Sequence, residues 1–93
     1  MEIKHQFSGK TGKFYIQKEG IVGAEMNYFK VDENTINIHH TEVKEQFRGI
    51  GLGFLLLEAA VKYARENNLK IIPTCSYAEK LIQKNENFHD ILN

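Results

Sequence analysis

The spacing of apolar residues changes period near residue 44, and few folds accommodate that change. On the N-terminal side, Ala24, Met26 and Tyr28 alternate with Gly23, Glu25 and Asn27, the period of a half-buried strand over residues 21–29. A shorter strand at residues 14–17 precedes it across the turn Lys18-Glu19-Gly20, where Gly20 admits positive φ. Residues 30–34 form a polar connection to a third strand, 35–43, with Ile36, Ile38 and His40 on one face. Short connections imply an antiparallel meander, and an edge strand at residues 3–7 is weakly signalled. On the C-terminal side, Leu52, Leu55, Leu56, Ala59, Ala60, Tyr63 and Ala64 follow a helical period over about four turns. Asn67-Asn68 ends that helix, because Asn tolerates the left-handed conformation. Residues 69–74 read as a short buried strand. A strand–helix–strand unit crosses over right-handed, so this strand should run parallel to 35–43. Ser76-Tyr77-Ala78-Glu79 matches a capping box opening a second helix, and a last helical turn takes in Phe88, Ile91 and Leu92. The expected class is α+β: a mixed sheet with helices packed against it.

Ninety-three residues hold one hydrophobic core, hence a single domain over 1–93. Hydrophobic residues at 42% and charged residues at 26% exclude a disordered chain, a collagen or a coiled-coil rod. Twelve basic residues balance twelve acidic ones, so no global positive field serves nucleic-acid binding by phosphate neutralisation. No apolar stretch approaches the ~18–20 residues that span a bilayer, and residues 1–6 lack the apolar run of a signal peptide. Cys75 is the one cysteine, which excludes an intramolecular disulfide and a multi-cysteine metal cage and suits a reducing interior. A soluble, cytoplasmic protein with neither membrane nor nucleic-acid partner is expected. The sequence does not set its oligomeric state.

Chemistry concentrates in Gln46-Phe47-Arg48-Gly49-Ile50-Gly51-Leu52-Gly53, between a strand and the long helix. Glycine costs roughly 0.5–1 kcal/mol against Ala inside a helix, yet three of them crowd this start. No Ser, Thr, Asp or Asn lies between Glu42 and Asn67 to cap it. A glycine-lined, uncapped helix start beside Arg48 suits an anion, a phosphate or pyrophosphate above all. The alternative is that the glycines admit close helix–sheet packing and water caps the amides. The spacing is neither the G-x-G-x-x-G of a dinucleotide site nor a P-loop, since no Gly-Lys-Ser/Thr follows.

Gln46-Phe47-Arg48-Gly49-Ile50-Gly51 resembles the Q/R-x-x-G-x-G/A signature of the GNAT superfamily of N-acetyltransferases. Together with His40-Thr41-Glu42-Val43 and Pro73-Thr74-Cys75-Ser76-Tyr77, it resembles the small stand-alone GNAT-like members, which hold little beyond the acetyl-CoA core. The likeness covers the chain from about residue 13. It implies a truncated GNAT-like fold: an antiparallel meander, a strand–helix–strand crossover and a C-terminal helix. It implies acetyl-CoA as cosubstrate and an unidentified amine acceptor, whether protein, peptide or small molecule. It places Gln46 and the backbone of Phe47, Arg48, Gly49, Ile50, Gly51, Leu52 and Gly53 around the pyrophosphate. Thr41, Glu42 and Val43 would lie along the pantetheine arm, entering where the strand ending at Pro73-Thr74-Cys75 splays from its neighbour. Two departures stand out. Ile82 occupies the position where larger members carry an acid tyrosine, and Lys18-Glu19-Gly20 replaces the helices that wall their acceptor site.

Four residues are candidates for catalysis. Cys75, just before the second helix, faces the positive end of its dipole, which favours a thiolate able to accept the acetyl group; otherwise it is a small buried residue closing the strand. His40 and Glu42 could share one strand face, absent a bulge, and serve as general base, or make ordinary sheet hydrogen bonds. Tyr77 could protonate the departing thiolate, or pack against the pantetheine arm. Arg48, Lys80 and Lys84 are available to phosphates. His5 and His89 read as surface residues. The His39-His40 pair lacks carboxylates at ligand spacing, so no metal is expected. The rival readings are a non-catalytic CoA or acyl-CoA binding module and an interaction scaffold in which the glycines serve packing alone.

Overall fold

Two-residue turns fold the N-terminal half into a four-stranded meander. The computed structural model describes residues 2–93. Strand β1 (Ile3–Ser8) turns through Gly9 at φ +60° into β2 (Thr11–Lys18). Glu19 and Gly20 then both take positive φ, 53° and 78°, and lead into β3 (Ile21–Asp32). Paired positive φ values match the right-handed twist of a hairpin. Strand β4 (Thr35–Val43) completes the meander, and every neighbour in it is antiparallel. After a 3₁₀ turn at Glu45–Phe47 comes helix α1 (Leu52–Glu66), then β5 (Lys70–Pro73), helix α2 (Ser76–Lys84) and a 3₁₀ segment at Glu86–Ile91. The sheet order is β1-β2-β3-β4-β5, with β5 parallel to β4 as the crossover requires.

Each end of α1 follows from its sequence. At the C-terminus Asn68 takes φ +56°, and the Leu69 and Asn68 N–H groups donate to Ala64 O and Arg65 O at 2.8 and 3.4 Å. These are the paired bonds of a Schellman cap. The helix contacts all five strands from one side. Its buried residues are Leu52, Gly53, Leu56, Leu57, Ala60, Val61 and Ala64, so the buried stripe is rotated from the expected one toward Leu57 and Val61. The Leu55 and Ala59 flank is only half-buried, while neighbouring Phe54 meets Phe88 of the terminal 3₁₀ segment at 5.8 Å. Helix α2 starts one residue earlier than its sequence indicated. Cys75 is the N-cap, Ser76 is the first helical residue, and no side-chain cap forms. The Cys75 N–H donates to Ile38 O at 3.1 Å, which holds Cys75 extended and makes it the cap.

Strand β4 carries a bulge. Asn27 pairs with His40 but Tyr28 pairs with Ile38, leaving His39 unmatched. An extra residue reverses which face the following side chains occupy. Thr41 and Val43 lie opposite Met26 and Ala24, both buried on the α1 face, whereas His40 and Glu42 lie opposite Asn27 and Glu25. His40 therefore does not share a face with Ile36 and Ile38, contrary to the strict alternation; it and Glu42 stand together on the side that α1 leaves uncovered.

His5, expected at the surface, is half-buried. It stacks on Phe14 at 4.1 Å, meets the Tyr63 ring edge-on at 4.5 Å, and its Nε2 lies 2.7 Å from the Tyr28 hydroxyl. Burial depresses the basicity of the imidazole, and burial together with nearby Tyr63 holds the Tyr28 hydroxyl well above its ordinary range. The unfolded chain thus takes up a proton on His5 at higher pH than the folded one. Stability is expected to be unaffected by His5 above its ordinary value of 6.5, and to fall as pH drops through that value until the folded imidazole protonates too. Urea midpoints of wild type and His5→Phe between pH 5 and 8 check this: the wild-type slope should flatten in the variant.

Candidate active site

Strand β4 outlasts β5, and that mismatch opens the site. Pairing ends at Ile38 opposite Pro73, where the Thr74 and Cys75 N–H groups both donate to Ile38 O at 3.1 Å. Beyond this point β4 runs to Val43 without a strand on its β5 side. The Lys44 N–H returns to Gly23 O at 2.8 Å, which sends the chain into the 3₁₀ turn. Phe47 seats its ring where a Cβ on Gly23 would sit, 2.7 Å from the nearest ring carbon, so Gly23 is required by close approach. Lys18 Nζ lies 5.5 Å from the centre of that ring. The Arg48 Nε–H donates to Val43 O at 3.0 Å, tying the turn back to the strand end.

Gly49 and Gly51 follow at φ +86° and +81°, and a Cβ on either would meet no atom within 4 Å. Conformation, not crowding, demands glycine at both. Gly51 is the N-cap of α1, without a side-chain bond, and the helical ladder begins with the Leu55 N–H to Gly51 O at 3.2 Å. The amides of Leu52, Gly53 and Phe54 precede that first bond and have no helical acceptor. Gly53 is different in kind: a Cβ there would collide with the Tyr77 ring, so the first turns of α1 and α2 meet across it.

These segments enclose a cleft of about 500 Å³ lined by residues 40–43, 47–49 and 51–53 and by Tyr77. The structure so gathers His40, Thr41, Glu42, Val43, Phe47, Arg48, Gly49, Gly51, Leu52, Gly53 and Tyr77. Gln46 is exposed in the 3₁₀ turn and Ile50 is 55% exposed; neither lines the cleft. Cys75 is half-buried and outside the lining, its Sγ 3.4 Å from Thr41 Oγ1, to which it donates. Lys80 and Lys84 are exposed and also outside it. Ile82 is buried in the core, so α2 offers no acid at that position.

A second hollow of about 240 Å³ shares Glu42 with the cleft and is lined by residues 21–25, Glu42 and Lys44. Glu25, directly across from Glu42, escaped the sequence reading; so did Gly23 as the seat of Phe47. Strand pairing across the β3–β4 turn holds the signal for Glu25, but the bulge hides it. Lys13 Nζ stands 3.8 Å from Glu25. Among the described residues no group of His, Cys, Asp and Glu is placed to hold a metal ion.

The family model of the GCN5-related N-acetyltransferases matches residues 13–91. The chain belongs to that family. It is 45% identical to a GCN5-like candidate N-acetyltransferase from Staphylococcus aureus solved by NMR, at TM-score 0.78, with 99% of this chain and 87% of that one covered. Protein NATD1 of Xenopus tropicalis is 37% identical over 84 residues, 89% of this chain and 77% of the relative. NATD1 of Danio rerio is 36% identical over 62 residues, and there the match spans 67% of this chain and 56% of the relative. A GNAT acetyltransferase of Elizabethkingia anophelis with acetyl-CoA bound shares the fold at TM-score 0.67 and 19% identity, over 81% of this chain and 52% of that one. The GNAT fold of a five-stranded mixed sheet with α1 and α2 thus agrees with the expected architecture. Among the described residues no helix is long and apolar enough to cross a membrane.

Proposed function

We propose that this GNAT-family chain transfers the acetyl group of acetyl-CoA to a primary amine. One observation carries the reading: the splayed end of β4 and the open glycine turn form one continuous cleft, with unbonded α1 amides at its end. The amides of residues 52 and 53 and the turn around Gly49 and Gly51 would hold the pyrophosphate, assisted by the positive end of the helix. The pantetheine arm would follow the unpaired edge of residues 41–43, whose amides polarise the thioester carbonyl. Tyr77 would cover the arm where it passes Gly53. The E. anophelis relative with acetyl-CoA bound supports this assignment of the cofactor.

The amine would come from the uncovered sheet face. His40 and Glu42 stand there beside the cleft, and either serves as the base that takes the amine proton. Both β1–β2 and β2–β3 connections are two-residue turns, so no helix walls this face among the described residues. An open face suits an acceptor that brings its own surface. Direct attack on the thioester is the favoured course, because Cys75 lies outside the cleft lining. A cytoplasmic setting accords with its free thiol.

Calorimetric titration with acetyl-CoA, followed by thiol release with a panel of primary amines, tests the proposal. Binding with amine-dependent release is expected. Binding without release from any amine would favour the CoA-binding module, and no binding would remove both readings. Rapid-quench mass spectrometry should find no acetyl group on Cys75; an acetyl-cysteine accumulating before product would replace direct attack by a two-step path.

A further inference from the structure

With Tyr77 covering the pantetheine arm at Gly53 and Ile82 buried in the core, neither side chain of α2 is assigned to the departing CoA thiolate. Two features of the fold converge on a proton source for it. The bulge at His39 turns Thr41 to the side of Met26, where it lines the cleft; in unbroken alternation it would have faced the uncovered side. The end of β4–β5 pairing at Ile38 and Pro73, with two amides on Ile38 O, carries Cys75 against β4 at the level of Thr41. The Cys75 S–H then donates to Thr41 Oγ1 at 3.4 Å. A hydroxyl that accepts one bond keeps its own O–H to donate, and Thr41 is the member of the pair that borders the cleft.

We infer that Thr41 relays a proton from Cys75 to the CoA sulfur, an assignment that rests on the acetyl-transfer reading above. The amine nitrogen forms its bond to the carbonyl carbon, and the C–S bond breaks with its electron pair on sulfur. That sulfur takes the Thr41 hydroxyl proton as Thr41 takes the proton of Cys75. The Cys75 thiolate is reprotonated from solvent with the proton lost by the attacking amine, which leaves acetylamide, CoA thiol and the enzyme in its starting state. A thiol is closely matched in acidity to a departing thiolate, so the transfer is near balance in either direction. Thr41 acts on the reacting atoms; Cys75 acts through it.

The test compares wild type, Thr41→Val, Thr41→Ser, Cys75→Ala and the Thr41→Val/Cys75→Ala double variant. Acetyl-CoA binding is measured calorimetrically, and thiol release is followed with n-butylamine as acceptor. Thr41→Val should lower kcat by about 100-fold, the scale of lost proton transfer, with KM for acetyl-CoA changed less than about twofold. Thr41→Ser should recover the rate to within about threefold. The double variant should be no slower than Thr41→Val, since groups acting as one unit are not additive. A fully active Thr41→Val, a Thr41→Ser no faster than it, or losses that multiply in the double variant would overturn the relay while leaving acetyl transfer intact. A wild type that binds no acetyl-CoA would overturn both. Alkylation of Cys75 by iodoacetamide reads the pair without an acceptor: severalfold slower in Thr41→Val and restored in Thr41→Ser, with equal rates in all three counting against the relay.

Discussion

Aspartate at both Gly49 and Gly51 is expected to cut acetyl-CoA affinity by about 100-fold or more, while asparagine at the same two positions costs less than about tenfold. Both residue types tolerate the left-handed backbone better than other side chains do, and neither meets an atom within 4 Å of its Cβ. The two variants should therefore fold alike, each with a similar loss of a few degrees in Tm. They differ in charge. A carboxylate about 4 Å from a phosphate costs roughly 1 kcal/mol in water and about 4 kcal/mol near a protein surface. Two of them account for ~3 kcal/mol even after screening, and each 1.4 kcal/mol is tenfold in Kd. Calorimetric titrations of the two variants side by side decide the matter. Equal affinities in the two would remove the pyrophosphate from this turn, and the glycines would then serve the chain's path alone.

The second large effect is on stability. Ile38 is 0% exposed and sits at the point where β4 and β5 part. Truncating a fully buried isoleucine to alanine costs roughly 2–5 kcal/mol. At about 3 kcal/mol a domain of this size loses roughly 12–24 °C of Tm. Ile38→Ala should also weaken acetyl-CoA binding below its melting temperature, because the carbonyl of that residue anchors Thr74 and Cys75. Ile16→Ala, equally buried but on β2, is the control: a comparable loss of Tm with affinity unchanged. Calorimetric melting and binding at 15 °C measure both. Parallel losses of affinity in the two variants would show that general loosening, and not the split, governs the cleft.

Local patterns made much of this legible beforehand. Alternation in residues 24–28 and the helical stripe from Leu52 to Ala64 were enough for the element order, and the uncapped glycine-rich start of α1 is there as expected, with Gly51 as N-cap. Asn68 ends that helix by the conformation its residue type allows. Faces and neighbours are not written locally. Strict alternation sets His40 beside Ile38, and a single unmatched residue, His39, reverses it. Ser76 had the spacing of a capping box, but a long-range bond from the Cys75 N–H to Ile38 O started the helix one residue sooner. His5 carried no local sign of burial, since its partners Phe14, Tyr28 and Tyr63 come from β2, β3 and α1.

The division has a physical basis. Backbone conformation at Gly49 and Gly51, the lack of a capping side chain, and the amphipathic period of α1 depend on residues within a turn or two of each other, and a sequence displays those directly. The amphipathic pattern, the crossover rule and the GNAT-like signature together determined the meander, the parallel fifth strand and the position of the glycine turn before α1. Which side chains meet depends on register, and register is settled by the sum of cross-strand contacts over the whole sheet. Only the tertiary structure decided that Thr41 and not His40 turns to the side of Met26, that Glu42 stands across from Glu25, and that Cys75 reaches the cleft through a threonine hydroxyl.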